Sequence, residues 1–334
     1  MPTLLYLLCV AAFCAAIFVT GVHNASNAIA VPVRTRTMGD TAALITAALF
    51  NGIGVFAAYL LITDMSVPWI AVPSGHLGLP GLTAALITAA LWGVATWALR
   101  MPASSTHALI GALAGVAWYA RVDGEGSRFI PAIFDATLLP LLYLPPLIFL
   151  LSWLLVLPFY RLAIRSSPSS VNRHSREVLA VSASAISLLH GMQSGYLYLL
   201  VLHVLGAVFP LPTRDLLPWH VLTIALALAA GTLTGGRRIG YTFAYRMVRL
   251  DPMRGAVAQG TTALMQALGY FLLQLPFSSS HLATASALGA GVNQRFNSVK
   301  PKIVANIMLT WFVTLPACFL CAIALMMALD GIFG

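Results

Sequence analysis

"PASSTH" occupies residues 102–107 and "PFSSSH" occupies residues 276–281. Each is a proline, a spacer, three hydroxyl side chains and a histidine. A run of small residues follows each, "ALIGALAG" after the first and "LATASALGAG" after the second. Outward from these phrases the chain is greasy. It is 60% hydrophobic and 8% charged, against about 25% charged in soluble domains. Apolar stretches run over 3–20, 41–62, 81–99, 136–160, 178–209, 219–234, 255–275 and 303–329. Most approach the ~20 residues that cross a ~30 Å hydrocarbon core as a helix. They are continuously apolar rather than alternating, which predicts helices and not barrel strands. The expected fold is an all-α polytopic membrane protein. Residues 1–20 lack a basic leader and a small-residue cleavage site, so they read as a first membrane helix and not a signal peptide.

Charge sets the expected orientation. Of the net +9, Arg34 and Arg36 fall in one connection. Arg161, Arg165, Arg173 and Arg176 fall in another, and Arg237, Arg238, Arg246, Arg249 and Arg254 in a third. The stretch 63–80 has no Lys or Arg. The positive-inside rule puts the basic loops in the cytoplasm, and both termini outside. Basic residues distributed this way answer to the bilayer, and no nucleic-acid partner is expected. Cys9, Cys14, Cys318 and Cys321 lie in apolar stretches. One CxxC pair without a nearby His or second pair does not make a metal site, and no metal is expected.

The phrase recurs about half a chain apart, and other features pair with it. "TGVHNASNAIA" (20–30) and "LLHGMQSGYLYLL" (188–200) each place polar residues in the first apolar stretch of a half. The expected domains are a first repeat over 1–160, a basic linker over 161–177 and a second repeat over 178–334. Each repeat reads as a broken helix, a basic loop, two spans, a polar hairpin and a closing span. An odd number of spans before the linker inverts the second repeat, the architecture of many secondary transporters. The segments 107–119 and 276–292 are too short to cross alone. They read as arms of re-entrant hairpins, tolerated at depth only where protein or water covers them.

Proline suits the first turn of a helix, which puts the hydroxyls of Ser104, Ser105 and Thr106, and of Ser278, Ser279 and Ser280, at helix N-termini. Such an end carries unsatisfied N–H groups and about half a positive charge. With hydroxyls added it is an anion site. Two such ends meeting at a pseudo-two-fold axis surround a tetrahedral oxyanion without an arginine. A Ser–His hydrolase needs an orienting acid, and no polar motif has one, so no enzyme and no catalytic residue is expected.

These residues resemble the inorganic phosphate transporter family. "PASSTHALIGALAG" and "PFSSSHLATASALGAG" look like its two hairpin signatures, "GVHNASNAIA" like its first motif, and "LLHGMQSGY" like a worn copy of its second. "GTLTGGRRIGYTFAYRMVRLDP" and "KPKIVANIMLTWFVTLPA" resemble later segments, so the likeness covers nearly the whole chain. It is most similar to the bacterial proton-coupled branch, where a His also stands at the position of His23. The resemblance implies two inverted repeats with re-entrant hairpins, symport of inorganic phosphate with H⁺ or Na⁺, a bacterial inner-membrane location and a possible homodimer. Motif matching adds Asn24, Asn27, Gln193 and Ser194 to the hairpin hydroxyls as substrate-binding candidates.

The departures shape the expected chemistry. The family's motif aspartates are Asn24 and Ser194 here, and all nine acidic residues fall at span ends or in loops. Without a carboxylate a Na⁺ site is weakened. His23, His107, His190 and His281, with ordinary pKa values near 6.5, stand in the four motifs as candidates for proton coupling. H⁺ is therefore expected over Na⁺, with no other cofactor. A carboxylate would also repel sulfate while accepting the phosphate hydrogen. Its loss leaves sulfate as an alternative substrate, although the Asn24 carbonyl still accepts. A further alternative is a non-transporting homologue, given the worn second motif.

Overall fold

A computed structural model describes residues 2–61, 72–122, 137–209, 218–241, 246–273, 277–292 and 299–333. The first half contains α1 (Pro2–Arg34), α2 (Asp40–Leu61), α3 (Gly78–Ala98), α4 (Ser105–Val122) and α5 (Leu139–Ile164). The second contains α6 (Pro168–Val208), α7 (Pro218–Tyr241), α8 (Pro252–Leu268), α9 (Ser279–Val292) and α10 (Pro301–Phe333). A single π-helical turn, Gly269–Leu273, extends α8. Among the described residues there is no strand, only an isolated bridge between Val248 and Val299. Seven of the described helices are long and apolar enough to cross a membrane. The chain is thus an all-α, multi-span membrane protein.

Local signals set the helix starts. Asp40 places a negative charge in the first turn of α2, where the helix dipole favours it. Ser167 accepts from the Ser170 N–H ahead of Pro168, and Asp251 accepts from the Arg254 N–H ahead of Pro252. Both are side-chain caps followed by proline in the first turn. The Ser167–Pro168 start explains one difference from the sequence reading. Most of 161–177, expected as a linker, is helical. Only Arg165–Ser167 separates α5 from α6.

The two halves use the same packing partners with the halves exchanged. Helix α1 packs on α7 as α6 packs on α2, α1 on α3 as α6 on α8, and α4 on α10 as α9 on α5. Glycines permit these crossings. A Cβ on Gly21 or Gly231 would overlap backbone across the α1–α7 contact, and one on Gly54 or Gly191 would do so across α2–α6. A Cβ on Gly115 would strike the Phe319 backbone, and one on Gly289 the Phe149 backbone. Small residues let membrane helices approach closely where no hydrophobic effect drives them together. With five helices per half and the fourth returning beside the third, this is the arrangement of two inverted-topology repeats with helical hairpins. Helix α9 has 14 residues, about 21 Å at 1.5 Å per residue, and cannot span the core alone.

The polar motifs do not break their helices. Helix α1 is continuous for 33 residues through "GVHNASNAIA", and α6 for 41 residues through "LLHGMQSGY". A polar side chain in a bundle needs a polar partner, not a gap in the backbone ladder. Neither motif contains a proline that would remove an N–H and clash with the preceding turn.

Candidate functional site

The repeated phrase builds the same helix start twice. In the first hairpin the Ser104 hydroxyl accepts from the His107 N–H at 3.2 Å. In the second, the Ser278 hydroxyl accepts from the His281 N–H at 3.4 Å. Both serines are buried N-caps, satisfying a donor that the helix itself cannot. Of the two phrases, only Pro276 lies outside the described residues. The cap brings each histidine to the inner end of its hairpin. There His107 and His281 meet edge to face, ring centroids 4.8 Å apart, and Trp311 lies 4.1 Å from the His281 ring.

The second tip is latched to α1. Asn24 and Asn27, three residues apart, share one face of the helix. The Asn27 amide donates at 3.2 Å to Asn24 Oδ1, Ser279 Oγ and Ser280 Oγ. The Ser279 hydroxyl donates to Asn24 Oδ1 at 3.0 Å, and the Ser280 hydroxyl donates to the Ala103 carbonyl of the opposite tip at 3.1 Å. Gln193 on α6 donates to the Phe277 carbonyl at 2.5 Å. Asn24, Asn27, Gln193, Ser279 and Ser280 thus converge with both hairpin tips. The first tip carries half-buried Ser105 and Thr106. Arg100, left-handed at φ 58°, stands exposed in the turn before it.

Buried polar atoms around this junction that make no hydrogen bond include Asn27 Oδ1, Ser105 Oγ, His107 Nδ1 and His281 Nε2, with Trp311 Nε1 and Gln259 Oε1 beside them. An unmet buried polar group costs about 1–3 kcal/mol, a cost that a polar partner at the junction would relieve. They offer both a donor, the Ser105 hydroxyl, and an acceptor, the Asn27 carbonyl. The first N–H groups of α4 and α9 add donors and positive potential.

Three sequence candidates have hydrogen-bond partners away from the tips. Ser194 belongs to a separate buried chain, 3.1 Å from His190 Nε2, while His190 Nδ1 is 3.0 Å from Asn51 Oδ1. The Asn51 amide donates to Thr232 Oγ1 at 2.8 Å, and that hydroxyl donates to the Leu228 carbonyl at 2.9 Å. The last bond sets every direction. Thr232 accepts from Asn51, Asn51 accepts from His190 Nδ1–H, and His190 Nε2 accepts from Ser194. His23 is held by α3, its Nε2–H donating to the Gly93 carbonyl at 2.7 Å.

Asn51 and Thr232 were not singled out from sequence, nor was Gln259, whose amide donates to the main-chain carbonyl of Asn27 at 3.1 Å. Their signal was present. Polar side chains inside apolar spans are costly and seldom idle. The described acids are remote in role. Asp40 and Asp251 start helices, Glu177 faces Arg173, and Asp330 accepts from Tyr119. Among the described residues no cluster of His, Cys, Asp and Glu could hold a metal ion.

Comparison with known proteins agrees with this layout. The phosphate transporter family matches the chain twice, over residues 20–175 and 163–322, one match per half. A Rhizobium meliloti (strain 1021) protein described as a "Probable low-affinity inorganic phosphate transporter" is 32% identical, covering 95% of this chain and 93% of that protein. A Bacillus subtilis (strain 168) protein of the same description is 29% identical, covering 94% and 93%. A solved structure described as "The sodium-dependent phosphate transporter" shares the fold. Its TM-score is 0.75 at 16% identity, over 98% of this chain and 99% of that one.

Proposed function

The chain belongs to the phosphate transporter family, a family of transporters rather than enzymes, and from that premise we propose that it carries inorganic phosphate across the bacterial inner membrane by proton symport. The substrate site is the junction of the hairpin tips. Ser105, Thr106, Ser279, Ser280 and the N–H groups of α4 and α9 hold phosphate oxygens, and Asn24, Asn27 and Gln193 shape the cradle. Ser104 and Ser278 act through their caps, and Ser194 through its bond to His190.

The observation that carries this reading is the mixed set of unmet atoms at the tips. Phosphate near neutral pH is an anion that still bears a proton. Its bare oxygens suit Ser105 and the helix ends, and its P–OH suits the Asn27 carbonyl. Sulfate has no proton to give and leaves that acceptor unmet, which disfavours it. His107 and His281 supply titratable groups at the same junction and are the favoured coupling residues. Alternating access then has residues 1–160 rocking against residues 178–334 about the tips, with both termini outside.

The test is uptake of labelled phosphate into proteoliposomes holding the purified chain. A pH gradient and a Na⁺ gradient are imposed separately, with unlabelled sulfate as competitor. The expected result is proton-driven uptake that sulfate does not inhibit. Uptake driven only by Na⁺ overturns the coupling, and inhibition by sulfate overturns the selectivity. No uptake of either anion overturns transport itself in favour of a structural or regulatory role.

A further inference from the structure

Where α2, α6 and α7 meet, Ser194, His190, Asn51 and Thr232 form a buried polar chain. Its bonds run in one direction. The Thr232 hydroxyl has one proton, and it goes to the Leu228 carbonyl at 2.9 Å. Thr232 Oγ1 therefore accepts from the Asn51 amide, 2.8 Å away. That turns Asn51 Oδ1 toward His190 Nδ1 at 3.0 Å, and a carbonyl oxygen only accepts. His190 is thus held with its proton on Nδ1. Its basic nitrogen is Nε2, 3.1 Å from the Ser194 hydroxyl.

This nitrogen can take a proton without orphaning a partner. Nε2–H donates to Ser194 Oγ, and the serine proton turns to the carbonyl one helical turn back. Ser187 already makes that kind of bond, to Ala183 at 2.8 Å on the same helix. Asn51 and Thr232 keep their bonds. The charge is the obstacle, because a buried imidazolium is costly unless paired. Among the described residues no acid bonds to His190. Along α6, Glu177 and His203 stand ~20 Å away and Tyr196 ~9 Å, while Tyr198 is tied to Thr20. Along α2 from Asn51, Asp40 is ~16 Å and Tyr59 ~12 Å away, and along α7 from Thr232, His220 is ~18 Å away. On α1, His23 donates to the Gly93 carbonyl and Arg34 ends the helix. On α8, Arg254 is paired with Asp251. The charge therefore has to be balanced by an arriving anion. Gln193, three residues on and on the same face as His190, donates to the Phe277 carbonyl of the second tip.

We propose that His190 takes up a proton at Nε2 when phosphate binds, and that Asn51 and Thr232 are the positioning residues that keep this nitrogen basic. The inference rests on the proton-symport reading and adds a proton site beyond the histidine pair at the tips. The proton comes from the aqueous side and leaves with the phosphate. Linkage makes the effect mutual: the proton strengthens phosphate binding as phosphate strengthens proton binding.

The test is ¹⁵N NMR of the purified full chain labelled at its histidine rings, with binding of labelled phosphate measured in the same detergent. His190→Gln identifies the His190 signals. The expected result is the Nδ1–H ring near neutral pH without phosphate, and the doubly protonated ring at the same pH once phosphate is added. Thr232→Val keeps the shape of the side chain and removes the hydroxyl, so Asn51 is free to turn its amide toward Nδ1, which disfavours the charged ring. This variant should show both neutral tautomers, and its uptake profile should move to lower pH by about one unit, an about tenfold loss of proton affinity. Thr232→Ser, which keeps the hydroxyl, should restore both readouts. An Nε2–H ring in the unaltered chain overturns the proposal, and that measurement needs no variant to fold. Phosphate binding that leaves His190 neutral overturns it as well. So does a Thr232→Val chain whose melting temperature falls while tautomer and pH profile stay unchanged. A chain that binds no phosphate overturns the phosphate reading, and this proposal with it.

Discussion

At the hairpin tips one amide does most of the joining. Asn27 donates to two hydroxyls of the second tip and to Asn24, and its own carbonyl oxygen is unmet. Asn27→Leu removes the latch and the acceptor together. Phosphate uptake in proteoliposomes should fall more than about tenfold, equivalent to about 1.4 kcal/mol of lost transition-state stabilisation. Folding, followed by melting temperature, should be affected less than transport. Transport at the wild-type rate in Asn27→Leu would falsify the tip junction as the substrate site. The caps make a different prediction. Ser104→Ala and Ser278→Ala should each cost about 1 kcal/mol of stability, and Ser→Asp at either position should restore the cap while placing a charge beside the anion site. Recovered melting temperature with lost uptake is the expected signature. In the second buried chain, Asn51→Leu leaves His190 Nδ1–H without its acceptor, and a loss of about 1–3 kcal/mol follows, measured by thermal unfolding.

Among the helices, the repeat is written in backbone contact rather than in polar side chains. Gly54 meets the backbone of α6, whereas a Cβ on Gly52 would enter open space. Gly54→Val should therefore force α2 from α6 and abolish recovery of folded protein. Gly52→Ala should be neutral or stabilise by up to about 1 kcal/mol, since alanine is the better helix former. Equal melting temperatures for the two variants would remove the close-packing argument. The hairpins, by contrast, are symmetric in their caps and unequal in their latches. Asn24 and Asn27 hold the second tip from α1. On α6 the motif-matched position is Ser194, turned to His190, and three residues on stands apolar Leu197. Among the described residues the first tip thus has no matching amide latch, and Ser105 Oγ is unmet. The second tip is held by α1 and the first by the Ser280 bond to Ala103, an unequal arrangement that rocking of the repeats can exchange.

For the whole molecule, the coupling ion is read from gradients. With no described acid at the tips, a pH gradient should drive uptake and a Na⁺ gradient should not. Asn24→Asp should add Na⁺ dependence, because a carboxylate there supplies the charge a dehydrated cation lacks. Much of this molecule was legible in one dimension. Composition and run length decide that a chain with 8% charged residues spans a membrane, because transfer free energy is a sum over residues and needs no geometry. The doubled P-x-S-x-x-H phrase named the hairpins, because a cap is a local bond between residues three apart. Reading polar motifs as helix breaks failed for a related reason. Whether Asn24 or Gln193 interrupts a helix depends on a partner far along the chain, Ser279 for Asn24 at 255 residues and Phe277 for Gln193 at 84. The stretch 161–177, expected as a linker, is mostly helical, since Ser, Pro and Arg mark a helix start as readily as a loop. By itself the sequence determined the membrane class, the two-fold repeat and the hydroxyl-rich helix starts, all additive or local properties. Only the tertiary structure decided which tip is latched, that Ser194 serves a histidine chain with Asn51 and Thr232, and where unmet donors and acceptors collect. Those are properties of pairs brought together by packing, and no spacing along the chain encodes them.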